Sequence, residues 1–333
     1  MKLFLLAQNQ VSSGKKSGIQ PKTMYFYQTI TKNIDRSFVK HYNKKSQGII
    51  EIWRNENIDK PTISIIIPTV DKTRGGHLPA LLQQIEIQSF TNWEIILIIK
   101  DSRQGRAINC GVAVAAGKYI VTFDDDTKLG SGDLLEKMVH HMEIHPEFGM
   151  AGVANIPPAN ATWFTKKVME QLPRRTSPIV DTIVESDLAE HPCAIFPKHV
   201  FMAIGGENEL IPRGLDPYLR AEIRKAGYKV VVLPKLFIHH LPPASFTKFC
   251  CQFYRNGKMA AYVNKFYPEF VVELTTQHQD KVPKKRSNLT RIISYIFRIL
   301  KALFSLNIFY LLSLKFYLLG YIVSYLFLKE KNV

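Results

Sequence analysis

Between residues 61 and 126 the chain alternates apolar β-branched runs with helical ones, and few folds accommodate that order. In "PTISIIIPTV", Ile63, Ile65 and Ile67, with Ser64 and Ile66 between them, make a run stopped at Pro68, as a central strand requires. "LPALLQQIEIQSF" follows, with Pro79 near its start and apolar residues at helical spacing. Trp93 to Ile99 of "NWEIILIIKDS" reads as a second strand, "GRAINCGVAVAAG" as a small-residue helix ending at Gly117, and "KYIVTFDDD" as a third strand. The order predicts a doubly wound parallel α/β sheet, whose ligands bind beyond the carboxyl ends of the strands. Pro68 and Thr69, Asp101, and the run Asp124, Asp125, Asp126 all fall at those ends.

After residue 150 the alternation loosens. "PCAIFPKHVFMAIGG" reads as a strand and a short helix capped by Gly205 and Gly206. "GLDPYLRAEIRKAGYKVVVLPKLFIHH" reads as a loop, a helix stopped by Gly227, and a strand ending in His239 and His240. "PPANATWFTKKVMEQLPRRTSP" is Pro-rich, basic and aromatic, and suits an acceptor path or a mobile lid equally well.

The formal charge of +16 is unevenly placed. Residues 1–60 carry eleven Lys and Arg against four Asp and Glu, and residues 281–333 carry ten against one. Residues 61–280 carry twenty-three of each, so the body is neutral. A nucleic-acid enzyme would carry its positive field on the folded body, which argues against a nucleic-acid partner. Basic flanks beside an apolar tail suit an anionic membrane surface. Cys110, Cys193, Cys250 and Cys251 lack metal-ligand spacing and make a poor disulfide framework, so a reducing, cytoplasmic setting is expected. The chain divides into a basic N-terminal extension (1–60), a catalytic-type body (61–280) and a basic, apolar tail (281–333).

Three adjacent aspartates repel one another and push one another toward protonation. They make a solvated turn, or they hold a cation. On a strand side chains alternate, so Asp124 and Asp126 share one side and Asp125 points to the other. A hard divalent ion is commonly held by one or two such carboxylates with phosphate oxygens.

"PTISIIIPTVDK", "WEIILIIKDS", "GRAINCGVAVAAGKYIVTFDDD" and "GLDPYLRAEIRKAGYKV", in that order, resemble the family 2 glycosyltransferases of the GT-A fold across about residues 61–260. The resemblance implies a hexosyltransferase-type enzyme that moves a sugar from a nucleotide-diphosphate donor with inversion, assisted by Mn²⁺ or Mg²⁺. It gives donor contacts to Pro68, Thr69, Asp101, Arg106, Asn109, Asp124, Asp125 and Arg255, and metal contacts to Asp124, Asp126 and His240. It makes Asp216 the base that takes the acceptor proton. The residues alone leave other readings open: Asp216 as an N-cap before Pro217, His240 as a structural histidine, and Arg255 as a surface cation on its helix. Arg106 and Asn109 are likewise open to a solvated Arg and an Asn placed before a Gly. Two positions depart from the family pattern: Lys100 stands where an acid is usual, and Leu215 where a Glu is usual. They leave a degenerate, inactive transferase as an alternative.

In the tail, "NLTRIISYIFRILKALFSL" places Arg291, Arg298 and Lys301 on one helical face, the character of an interfacial helix. "NIFYLLSLKFYLLGYIVSYLFL" carries only Lys315 as a charge and is long enough to span or re-enter a bilayer. A buried hairpin or an oligomer interface is the alternative. The expectation is a membrane-associated enzyme on the cytoplasmic face, working in polysaccharide or cell-envelope assembly on a glycan or lipid-linked acceptor. The rivals are a polyprenyl-phosphate sugar transferase and a non-catalytic scaffold or nucleic-acid-binding protein using its basic flanks.

Overall fold

A computed structural model describes residues 25–27, 36–41, 48–54, 58–240, 242–243, 245–273 and 285–329. Most of the 1–60 extension and the first residues of the tail region lie outside them.

The expected strands and helices are β3 (Ile63–Thr69), α1 (His77–Glu86), β4 (Trp93–Ile99), α2 (Gln104–Val114) and β5 (Tyr119–Phe123). Two strands precede them: β1 (Tyr25–Tyr27) and β2 (Ile49–Arg54). After β5 come β6 (Thr127–Leu129), α3 (Leu134–Ile144), β7 (Phe148–Asn155), α4 (Trp163–Gln171), β8 (Val184–Glu185) and β9 (Cys193–Pro197). The body ends with α5 (Lys198–Ala203), α6 (Asp216–Lys225), β10 (Lys229–His240) and α7 (Phe246–Phe266). Two tail helices, α8 (Asn288–Phe304) and α9 (Ile308–Phe327), complete the order.

One sheet runs β1-β2-β4-β3-β5-β9-β7-β10-β6, with β8 paired to β10. Its centre, β4-β3-β5, is parallel as expected. Beyond β5 the sheet is mixed, because β9 is antiparallel to both β5 and β7. Odd-numbered residues of β3, β4 and β5 pack under α1 and α3, and even-numbered ones meet α2 and α6. Both faces are therefore covered, which is why these strands are mostly Ile, Val and aromatic residues and show no apolar–polar alternation.

Part of the basic extension joins the body. Ile49–Arg54 pairs antiparallel with residues 94–99 of β4, and Glu51 forms an ion pair with Lys72 at 2.5 Å. Further back, the buried Arg36 binds Glu209 at 2.6 Å.

The tail also packs on the body. Phe309, Leu312 and Phe316 of α9 lie against Phe164, Val168, Phe249 and Phe253 of α4 and α7. Gly257 and Gly320 meet where α7 crosses α9. A Cβ on Gly257 would stand 1.9 Å from the Tyr317 carbonyl oxygen, and one on Gly320 2.1 Å from that of Tyr254. Backbone touches backbone there, and only glycine permits it. Both ends of α9 are tied as well: Gln171 Oε1 accepts from the Phe309 amide at 2.9 Å, and Lys265 Nζ donates to the Tyr325 and Leu328 carbonyls at 2.8 and 3.2 Å.

Candidate active site

The aspartate run sits where β5 ends and β6 begins. The Thr127 amide donates to the Asp124 carbonyl at 3.0 Å, which closes a tight turn. β6 then runs antiparallel to β10, with Thr127 opposite His240. That register carries the last residue of β10 to the aspartates. His240 Nε2 lies 3.5 Å from Asp124 Oδ2 and 3.2 Å from Asp126 Oδ1. One ligand atom from each of the three lies within 4.8 Å of the others. His239 turns away, as alternation predicts, and its Nδ1 meets the Ile156 carbonyl at 2.7 Å.

The electrostatics of this triangle suit a cation. Burial pushes the Asp124 carboxyl up to about 6; His240 opposes that rise and the charge of Asp126 adds to it. Burial also works against ionisation of Asp126, but the hydrogen bond and charge of His240 together with the charges of Arg74 and His77 outweigh it and its pKa is lowered. Two hard carboxylates and an imidazole at this spacing fit Mn²⁺ or Mg²⁺. Gln104 Nε2 donates to Asp124 Oδ1 at 2.9 Å and orients it.

Asp125 points to the other side. Its carboxylate lies 2.7 Å from Thr69 Oγ1 and accepts from Arg74 Nε at 2.8 Å. The Thr69 hydroxyl also faces the Asp71 carbonyl at 2.6 Å, and the Thr69 carbonyl accepts from the Lys100 amide. Thr69 and Asp125 thus join the ends of β3 and β5, with the half-buried Pro68 beside them. Arg74 continues toward the metal triangle, with Nη2 3.7 Å from Asp126 Oδ2.

Three residues expected at the donor have other work. Asp101 takes Arg106 at both carboxylate oxygens, at 2.6 and 2.9 Å, and both side chains are buried. A fork-to-fork pair of this kind fixes the N-terminal part of α2. Asn109 is fully buried: it donates to the Glu207 carbonyl and Glu209 Oε1 and accepts from the Glu207 amide. It clamps α2 to the loop after α5. These are the contacts the structure gives Asp101, Arg106 and Asn109, and their contacts to a donor remain a proposal.

Asp216 opens α6 but does not cap it. Leu215 occupies the N-cap position, and Asp216 Oδ1 instead accepts from the His191 amide at 2.8 Å and meets His191 Nδ1 at 2.5 Å. The other ring nitrogen of His191 lies 2.6 Å from Glu207 Oε1. Burial alone would lower the His191 pKa, but Asp216 and Glu207 raise it well above the ordinary range. Burial alone would raise that of Asp216, and the charge and hydrogen bonds of His191 together with the Arg220 charge instead hold it far below the usual carboxylate range. Asp124 feels the charges of both Asp216 and His191, so the His191–Asp216 pair lies within electrostatic reach of the triangle.

Arg255 is exposed on α7, and its neighbours Gln252 and Asn256 bind Arg175 and Arg213 at 3.0 and 2.6 Å. The Pro-rich segment read as path or lid contains α4, and its end delivers Arg175 to the site. His191, Glu207, Gln104, Arg74, Arg175 and Arg213 were not anticipated. The Arg174–Arg175 pair was the one visible signal among them.

This geometry meets the comparisons with known proteins. Residues 77–204 match the family model described as glycosyl transferase family 2. The structure is similar to the mannosyltransferase PcManGT from Pyrobaculum calidifontis, solved with GDP-Man and Mn²⁺. The TM-score is 0.50 at 12% identity, over 80% of this chain and 88% of that one. A looser likeness joins it to S. aureus TarS 1–349 in complex with UDP, at TM-score 0.39 and 14% identity, over 61% and 66% of the two chains. No curated protein sequence matches the chain. The fold is GT-A, and the protein is a glycosyltransferase. Its segment 77–204 is a family 2 glycosyltransferase domain.

Proposed function

We propose that this glycosyltransferase is an inverting, metal-assisted enzyme that moves a sugar from a nucleotide-diphosphate donor to a glycan or lipid-linked acceptor at the cytoplasmic face of a membrane. The observation that carries the reading is the triangle of Asp124, Asp126 and His240, with Asp216 near enough for its charge to act on Asp124. Asp124, Asp126 and His240 would hold the cation, which when bound supplies charge neutralisation for the donor's diphosphate. Asp216, kept anionic by His191, accepts the proton of the acceptor hydroxyl as its oxygen bonds the anomeric carbon. The bond from that carbon to the diphosphate oxygen breaks, and its electron pair leaves with the diphosphate. Arg255 offsets that charge from α7.

The test is thermal stability of the full chain with UDP, GDP, CDP or dTDP, each with Mn²⁺, Mg²⁺ or EDTA. One nucleotide is expected to stabilise the protein only with metal, by about 2.7 kcal/mol at a hundred times its Kd. Asp126→Asn is expected to abolish the metal-linked part. No metal-linked shift with any nucleotide would overturn the reading.

The membrane assignment rests on α8 and α9. Among the described residues α9 is the helix long and apolar enough to cross a membrane, by length and composition. It is tied to α4 at one end and α7 at the other, so we read it as lying along the surface. α8 leaves Leu289, Ile292, Ile293, Ile296, Phe297 and Leu300 exposed on one face. Arg298 and Lys301 are also exposed, and suit anionic headgroups beside that apolar stripe. The full chain is expected to float with anionic liposomes, and the double substitution Ile296→Glu, Phe297→Glu to reduce that at least about tenfold. A wild-type chain that stays with the soluble fraction would rule the assignment out.

A further inference from the structure

A short segment of the basic extension, residues 36–41, is laid along the loop that follows α5. The Lys40 amide donates to the Gly205 carbonyl at 3.0 Å, and the Glu209 amide donates to the His41 carbonyl at 3.0 Å. Side chains add to these bonds. Arg36 Nη1 donates to Glu209 Oε1 at 2.6 Å, and Asn109 Nδ2 donates to the same oxygen at 3.1 Å. Gly205 and Gly206 have φ of 91° and 64°, and a Cβ on Gly205 would stand 2.5 Å from the Lys40 Cβ. Glycine alone fits both that backbone conformation and that space. The segment also reaches α6. The His41 ring lies 6.0 Å from that of Tyr218, two residues beyond Asp216, and 4.5 Å from that of Phe270. Lys40 Nζ lies 3.3 Å from Glu222 Oε2, further along the same helix.

The loop held in this way carries the far end of the chain of contacts that leads to Asp216. Glu207, Asn208 and Glu209 are each at most 1% exposed. Two carboxylates buried two residues apart are costly unless each has its own partner. Glu209 has Arg36, and Glu207 has His191, whose other ring nitrogen meets Asp216. Asn109 bonds the Glu207 backbone at both its amide and its carbonyl, which ties the same loop to α2. The two acids stand at alternate positions, so a slip of the loop by one residue would part both from their partners at once. Apolar side chains would fill the same space without holding it to one register.

We propose that residues 36–41 are a positioning strap for the base of the transfer reaction. Arg36 fixes Glu209, the strap's backbone fixes the 205–209 loop, and Glu207 of that loop holds His191 against Asp216. The proposal rests on the reading of Asp216 as the base, and deepens it by bringing part of the N-terminal extension into the positioning of that base. The strap bears on proton acceptance and not on the metal triangle, so it sets turnover and leaves metal-linked nucleotide binding as it is. Such precision matters to rate, because a displacement of about 1 Å at a reacting group costs up to about a hundredfold.

Downfield proton NMR of the full chain in detergent reads the strap directly, since a ring N–H held between two carboxylates resonates far from other protons. His191→Gln identifies the His191 signals by removing them. Arg36→Met, Glu209→Gln takes away both buried charges together, so neither is orphaned, and Glu209→Gln keeps an oxygen for Asn109. This double variant is expected to shift or broaden the His191 signals. It should also slow hydrolysis of GDP-mannose or UDP-glucose at least about tenfold in kcat, with KM within about threefold of wild type. Arg36→Lys keeps the charge but loses the planar fork, and is expected to fall between; it gives the readout if the double variant fails to fold. A wild type without downfield His191 signals, signals unmoved in both variants, or moved signals with kcat unchanged would each overturn the strap. Where wild type hydrolyses neither sugar nucleotide, the signals alone decide. The parent reading fails separately: wild-type turnover in Asp216→Asn removes the base, whereas a loss there beside unresponsive strap variants removes the strap alone.

Discussion

Asp216→Asn is expected to lower sugar transfer by about 10²–10⁴-fold, the usual contribution of a positioned general base. Donor affinity should stay near that of wild type, because Asp216 binds His191 and touches no metal ligand. The amide keeps the shape and can still bond the His191 amide and ring, so a loss of turnover without loss of fold isolates the proton acceptor. Turnover within about threefold of wild type would remove Asp216 from the chemistry. The pH dependence has a defined sign. Asp216 is held below the usual carboxylate range, so it stays ionised as pH falls through that range, and the acid limb of the rate profile should appear only below it.

His191→Ala is expected to destabilise the protein by about 3–5 kcal/mol, the usual cost of removing one member of a buried ionic group. It leaves Glu207 fully buried with neither carboxylate oxygen partnered, since Oε2 already has no hydrogen-bond partner. A raised histidine pKa contributes stability that is complete below the ordinary histidine range and is lost as pH rises through the raised value. A depressed Asp216 pKa contributes stability present above the ordinary carboxylate range and lost as pH falls through the depressed value. Wild type therefore holds both contributions at neutral pH, and the variant should lose both. Urea unfolding at pH 5, 7 and 9 measures this, and a neutral-pH loss under about 1 kcal/mol would count against the triad. In His191→Gln the acid limb of the rate profile should move up, a shift that a merely structural histidine would not produce.

Much of the sheet was readable because its centre is buried on both faces. Ile63–Ile67, Trp93–Ile99 and Tyr119–Phe123 had to be largely apolar, each with one polar residue (Ser64, Glu94 and Thr122), and such runs stand out from a neutral background. Strand alternation separated Asp125 from its neighbours, and likewise His239 from His240. The direction of β9 was not readable, since a five-residue buried strand looks the same parallel or antiparallel. β2 was hidden by its basic surroundings, although Ile49, Ile50, Ile52 and Trp53 are strand-like. Long-range partnerships stayed out of reach for a plainer reason. His191 and Asp216 are 25 residues apart, and Asn109 and Glu207 98, so only the folded chain brings them together. The Asp101–Arg106 pair was equally out of reach: the start of α2 brings the two side chains face to face, a contact no spacing rule predicts.

The contact of Gly257 with Gly320 bears on how this enzyme can be handled. α9 is the back wall of the helix whose front carries Gln252, Arg255 and Asn256. A chain shortened before Asn288 would strip Phe309, Leu312 and Phe316 from Phe249 and Phe253 and leave the Gly257 backbone bare. Such a chain would be easier to dissolve and a poor guide to the enzyme, because α7 would have lost the surface that sets its position. Detergent or lipid that pulls α9 aside would act in the same way, so solubilising conditions belong among the variables of any activity measurement.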